Sequence, residues 1–189
     1  MVPDELGLQS LRKKLNLAFI FSDPIMMLGK APGELKAFDA DFLDTEKEFN
    51  SLCGFLSNWN PDKQFIVKRE AATRLSFTQI LQEKPTILHI SCHGYFDYNS
   101  RKKKNIFSLA FENKDKKGVM EPFDEDKFRE ILQIQKPDNS DLTEYESPIK
   151  VVFVSACYSE PIAELFKKVM NVPIVIAVHQ QTQIEDTIA

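Results

Sequence analysis

The sequence predicts an α/β fold around a mainly parallel sheet, and three observations carry that prediction. Short apolar runs of strand length alternate with segments whose apolar residues recur at helical spacing, the pattern of successive βαβ units. The runs LNLAFIF and IKVVFVS are nearly continuous and rich in β-branched or aromatic residues, as strands covered on both faces require. A chain of 189 residues with 43% hydrophobic content makes one core of ordinary size, and two domains would be crowded.

In chain order, residues 1–14 read as a lead-in and 15–189 as the domain. Leu15 to Phe21 is a first strand, ended by Ser22-Asp23-Pro24. Phe49, Leu52, Cys53 and Leu56 share one face of a helix between Asp41 and Trp59, for which Thr45 with Glu48 fits a capping box. Phe65 to Val67 is a short second strand. Thr73 opens a helix with Phe77, Ile80 and Leu81 on one face, stopped by Pro85. Thr86 to Cys92 is the third strand. Beyond a basic turn at Ser100 to Lys104, FSLAF and Val119-Met120 flank a polar loop ending in Gly118, which predicts a hairpin. Asp124 reads as the next helix cap, with Phe123 and Phe128 as a hydrophobic staple. Lys136 to Pro148, polar and acidic with two prolines, reads as an exposed loop. Ile149 to Ser155 is a fourth core strand. Ile162, Leu165, Phe166 and Val169 face inward from the helix after it, and Ile174 to Val178 is a fifth strand.

A net charge of −4 argues against a nucleic-acid or membrane-surface binder, because attraction to phosphate needs a basic stripe. Three cysteines at irregular spacing make no disulfide framework and predict a reducing, cytoplasmic setting. No apolar run approaches the roughly 18 residues of a membrane-spanning helix. No phosphate-binding glycine motif is present, and no cofactor is implied.

Two residues stand at equivalent places. His93, followed by Gly94, comes directly after the third strand, and Cys157 directly after the fourth. In a parallel sheet the carboxyl ends of the strands share one edge, where ligand crevices form. If the two strands are neighbours, thiol and imidazole face one crevice, the pairing that thiolate attack on a carbonyl and protonation of a leaving amine require. Gly94 permits close backbone approach, so its N–H and that of Cys157 are candidates for an oxyanion site. Ser159 and Pro161 look like a helix start, whose positive end would favour a thiolate just before it.

Other candidates have plainer readings. His89, mid-strand, is expected to be a satisfied core histidine. A zinc set of His89, Cys92, His93 and Cys157 fails on alternation, which sends Cys92 to the opposite face from both histidines. Cys53 belongs to a helix stripe, and His179 reads as solvated or packed against a loop. Asp97 and Asp186 are candidate acids for a pocket taking a basic substrate side chain, although helix capping explains Asp186 equally well.

The stretch ILHISCHGYF, the hairpin around FSLAFEN, the helix after it, and VVFVSACYS followed by a helix and VPIVIAV resemble, in that order, the CHAT domains of the caspase-like peptidase clan. The resemblance implies a caspase-hemoglobinase-like three-layer α/β/α sandwich and a cysteine endopeptidase acting on protein substrates, with His93 and Cys157 as the catalytic dyad. Their separation of 64 residues exceeds the ~50 of caspases, and the insert at Lys136 to Pro148 absorbs the difference. The resemblance also implies regulation by a helical-repeat region or partner, and further helix and strand beyond the position of Asp186, so that the domain is expected to be truncated here. The alternative on the same fold is a catalytically silent interaction or signalling scaffold, distinguished by whether one thiol is unusually reactive.

Overall fold

A computed structural model of the protein describes residues 15–29, 31–59, 65–99, 104–135 and 146–179. In chain order these form β1 (Leu15–Ser22), β2 (Met26–Leu28), β3 (Leu35–Ala37), α1 (Thr45–Trp59), β4 (Phe65–Ala71), α2 (Arg74–Glu83), β5 (Ile87–Cys92), β6 (Gly94–Asn99), β7 (Lys104–Asn113), β8 (Lys116–Asp124), α3 (Glu125–Ile134), β9 (Val151–Ser155), α4 (Glu160–Met170) and β10 (Ile174–Ala177). The predicted α/β class is present. Five strands make one sheet in the order β10-β9-β5-β1-β4, with all four pairings parallel. A second, mixed sheet runs β3-β2-β8-β7-β6. No helix among the described residues is long and apolar enough to cross a membrane.

Alternation along the central strands separates two environments. Ala18, Ile20, Leu88, Ile90, Val152 and Val154 point into the main core with α2 and α4. Phe19 and His89 point the other way, toward α1, where Phe49 meets the Phe19 ring at 5.2 Å. The main core is aromatic at its centre. Phe77 of α2 touches Phe111, Phe123, Phe128 and Phe166 with ring centroids 5.2–6.4 Å apart, and all five are fully buried. One residue thus joins α2, the β7–β8 hairpin, α3 and α4.

Local signals explain most element ends. Thr73 caps α2 through a reciprocal capping box with Ser76. Asp124 accepts from the Lys127 N–H to start α3, and the rings of Phe123 and Phe128 meet at 4.7 Å as the staple requires. The hairpin turns earlier than predicted. Asn113 Oδ1 accepts from the N–H groups of Asp115 and Lys116, closing the turn, while Gly118 lies inside β8 at a positive φ of 73°. Strand β6 was not expected. Of the expected loop at Lys136 to Pro148, residues 136–145 lie outside the described ones, and Ser147 is buried rather than exposed.

The capping box expected for α1 is absent. Asp44, not Thr45, is the cap, accepting from the Lys47 N–H at 2.9 Å. Glu48 instead crosses to the sheet, accepting from His89 Nε2 at 2.8 Å and from the Ser91 hydroxyl at 2.5 Å, with a further hydrogen bond from Ser155. Burial pushes the Glu48 carboxyl up, but the His89 and Ser91 hydrogen bonds, the His89 charge and the Ser155 hydroxyl together hold it below its usual value of 4.5.

Two predictions follow from this packing. Phe77→Ala is expected to cost about 3–5 kcal/mol in urea unfolding, because four rings lose their common neighbour; a loss under about 1 kcal/mol contradicts its central place. Glu48 is ionised in the folded protein at a pH where the unfolded chain has begun to bind a proton. Its contribution is therefore complete above pH 4.5 and lost as pH falls through the lower folded-state value. The stability difference between the natural protein and Glu48→Gln should shrink below that pH, and a difference that stays constant down to pH 3 contradicts the assignment.

Candidate active site

The sheet register brings three strand ends into a row. Ser91 of β5 lies opposite Ser155 of β9, and Ser22 of β1 lies opposite Cys92 of β5. One or two residues further along, Asp23, His93 and Cys157 leave three adjacent parallel strands at the same edge, in the spatial order β1, β5, β9. Imidazole and thiol therefore face one crevice, and an acid stands on the far side of the imidazole. His93 Nε2 lies 3.1 Å from Asp23 Oδ1, and both side chains are largely buried.

Two of these residues stand where the chain passes from one sheet to the other. The chain leaves the parallel sheet at Cys92 and enters the mixed sheet at Gly94, so that His93 is the single residue between them. Its carbonyl accepts from the Ala110 N–H of β7 at 2.8 Å, fixing the backbone across the junction. Asp23 stands at the corresponding passage from β1 to β2. Its second oxygen accepts from the Leu43 N–H at 3.4 Å, and the Phe38 ring meets the His93 ring edge to face at 5.6 Å. The segment 38–44 is thereby held against the imidazole.

Cys157 sits in the tight turn between β9 and α4. Tyr158 follows with φ 55°, a left-handed conformation uncommon for a residue with a side chain and often found at functional turns. Ser159 begins α4 but does not cap it with its hydroxyl. The Oγ donates to the Val154 carbonyl at 3.3 Å and accepts from the Val178 N–H at 3.1 Å, tying the turn to β9 and to the end of β10. Gly94 is pressed against this turn. A methyl on its Cα would overlap the Cys157 carbonyl and lie 3.1 Å from the Cys157 nitrogen, so the approach is possible only for glycine.

A cavity of about 640 Å³ opens over this edge, with His93, Gly94 and Cys157 on one side and segment 38–44 with the start of α1 on the other. Its wall includes Glu48, Ser91 and Ser155, two residues down each strand from His93 and Cys157.

The remaining candidates fall elsewhere. His89 is buried and satisfied by Glu48, as a core histidine should be. Cys92 lies in the main core on the opposite face, where burial and then the Glu48 charge push its thiol far above the usual range. Cys53 is only half buried, at the margin of the α1 stripe rather than within a core; burial raises its thiol against the opposing Arg69 charge. His179 is exposed, with Nε2 3.6 Å from Glu160 Oε2. Asp97 belongs to β6, opposite Ile106, and its side chain, like the whole of Asp186, lies outside the described residues. Sequence reasoning passed over Asp23, Glu48 and segment 38–44. Asp23 carried the same signal as His93, a polar residue directly after a buried strand.

No curated protein matches the chain. The family model of the CHAT domain matches residues 32–165, more than half of the chain and including both His93 and Cys157. The chain therefore belongs to the CHAT domain family, a family related to the caspase-like peptidases.

Proposed function

We propose that this protein is a cysteine endopeptidase of the caspase-like type, with Cys157 as nucleophile and His93 as general base and acid, built on the three-layer architecture of that clan. The observation that carries the reading is the row Asp23–His93–Cys157 at the carboxyl edge of three adjacent parallel strands.

The chemistry assigns one task to each group. Asp23 accepts the Nε2 proton of His93, which selects the tautomer whose Nδ1 takes the proton of the Cys157 thiol. The sulfur attacks the scissile carbonyl carbon, and the charge that develops on its oxygen is met by the Gly94 and Cys157 N–H groups. The C–N bond breaks as imidazolium gives its proton to the leaving amine. Water, deprotonated by the same imidazole, then hydrolyses the thioester and releases the acid. The glycine requirement at position 94 supports this layout, since a side chain there would separate the two proposed donors. Protein substrates, and control by a helical-repeat region or partner, belong to the same proposal.

The test is hydrolysis of a peptide library by the purified protein and by variants with unchanged thermal unfolding. Cys157→Ala is expected to abolish turnover, and His93→Ala to lower it by about 10²–10⁴-fold. Asp23→Asn should lower kcat by a comparable factor and change its pH profile, because the tautomer is no longer fixed. Cleavage that survives Cys157→Ala refutes the mechanism. If no peptide is cleaved and no peptide electrophile labels Cys157, the interaction-scaffold reading replaces it.

A further inference from the structure

The wall of the cavity carries information about the substrate, and the inference rests on the peptidase reading above. Glu48 reaches the sheet from the first turn of α1 and bonds Ser91 and Ser155, each two residues before a member of the dyad in the chain and lining the same cavity. Two residues along a strand span about 6.6 Å. A substrate residue whose carbonyl stands at Cys157 projects its side chain from the neighbouring Cα. Only a long side chain reaches that depth, and those of Asp, Asn or Ala stop short.

The charge at that depth is set by the fold. The carboxylate is oriented by His89 on one oxygen and by serine hydroxyls. About 30% of its side chain nevertheless stays accessible, so lone pairs remain for a ligand. The same cavity wall carries Asp39, Asp41 and Asp44, against Lys47 as the one cationic side chain among its described lining residues. An anionic side chain entering here meets Glu48 and three further acids against a single lysine, which is unfavourable in a partly desolvated site. A guanidinium or ammonium meets a prepared acceptor, and Arg also matches carboxylate geometry in a bidentate way.

We propose that Glu48 forms the floor of the pocket for the residue preceding the scissile bond, and that the enzyme cleaves after Arg or Lys. The assignment gives Glu48 two consequences from one position: it ties α1 to β5 and β9, and it selects the substrate. It also moves the basic-residue pocket away from Asp97 and Asp186, toward a carboxylate whose partners are defined.

The experiment uses fluorogenic peptides that differ only in that residue, with Arg, Lys, Gln, Leu, Asp and Glu compared by kcat/KM. The natural protein is expected to prefer Arg or Lys over Leu by at least about 10²-fold. In Glu48→Gln, which keeps the size and one acceptor oxygen without the charge, the ratio of Arg to Gln substrates should fall tenfold or more. Cysteine-dependent cleavage that favours Asp, Glu or Leu overturns the inference and leaves the peptidase reading standing. A basic preference whose ratio is unchanged in Glu48→Gln also overturns it, because the charge is then supplied elsewhere. Peptidyl acyloxymethyl ketones ending in Arg or Asp give the same comparison by the rate of Cys157 labelling, without requiring turnover. If no peptide in the panel is cleaved and neither ketone labels Cys157, the inference falls together with the peptidase reading.

Discussion

The register of three parallel strands is the constraint on which the site depends. Side chains in a strand alternate between faces, so a slip of one residue between β5 and β9 would send Ser155 to the face opposite Ser91 and displace the Cys157 turn that follows it. The same holds between β1 and β5 for Asp23. Register is enforced by burial on both sides. Leu88, Ile90, Val152 and Val154 must enter the aromatic-centred core on one face, while His89 and Ser91 must meet Glu48 on the other. A misaligned strand would carry His89 and Ser91 into the main core away from Glu48 and leave their polar groups without partners, which is costly.

The second sheet supplies what the first cannot. A strand that simply ended at His93 would leave the imidazole on a loose loop. Here β5 passes into β6 and β1 into β2 with one and three intervening residues, so the histidine and its acid are each gripped by sheet on both sides. The hairpin that anchors β6 is itself anchored by Phe111 and Phe123 against Phe77. Packing some distance from the cavity thus fixes the angle at which His93 emerges. Gly94 is where that demand is sharpest, since two sheets and the Cys157 turn converge with no room for a Cβ.

What could be read from the sequence follows the same physics. The doubly covered strands β1, β5 and β9 announce themselves by continuous apolar runs, and residues immediately after such runs fall at the edge where sites form. That is enough to place His93 and Cys157 at that edge. The mixed sheet was harder to read. β2 and β3 have three residues each, too few for any period to register, and β6 (Gly94–Asn99) offers no sustained alternation of apolar and polar residues. Glu48 was legible but ambiguous. A Thr followed three residues later by Glu fits a capping box, and only the tertiary position of α1 decides that the carboxylate turns to β5 while Asp44 takes over the cap. Asp23 is a different case, since the criterion that found His93 applies to it unchanged and Pro24 made it look like a mere strand end.

Competitive alkylation of the three cysteines by a small electrophile, with the modified site read by mass spectrometry, tests the central claim most directly. It needs no substrate. Cys53 and Cys157 are both half buried, so exposure alone would make them react alike, and buried Cys92 should lag behind both. If His93 and Cys157 form a working pair, Cys157 reacts at least ~10-fold faster than Cys53 near neutral pH, and the advantage disappears in His93→Ala. Equal rates at Cys53 and Cys157, or an advantage that persists without His93, would contradict the account.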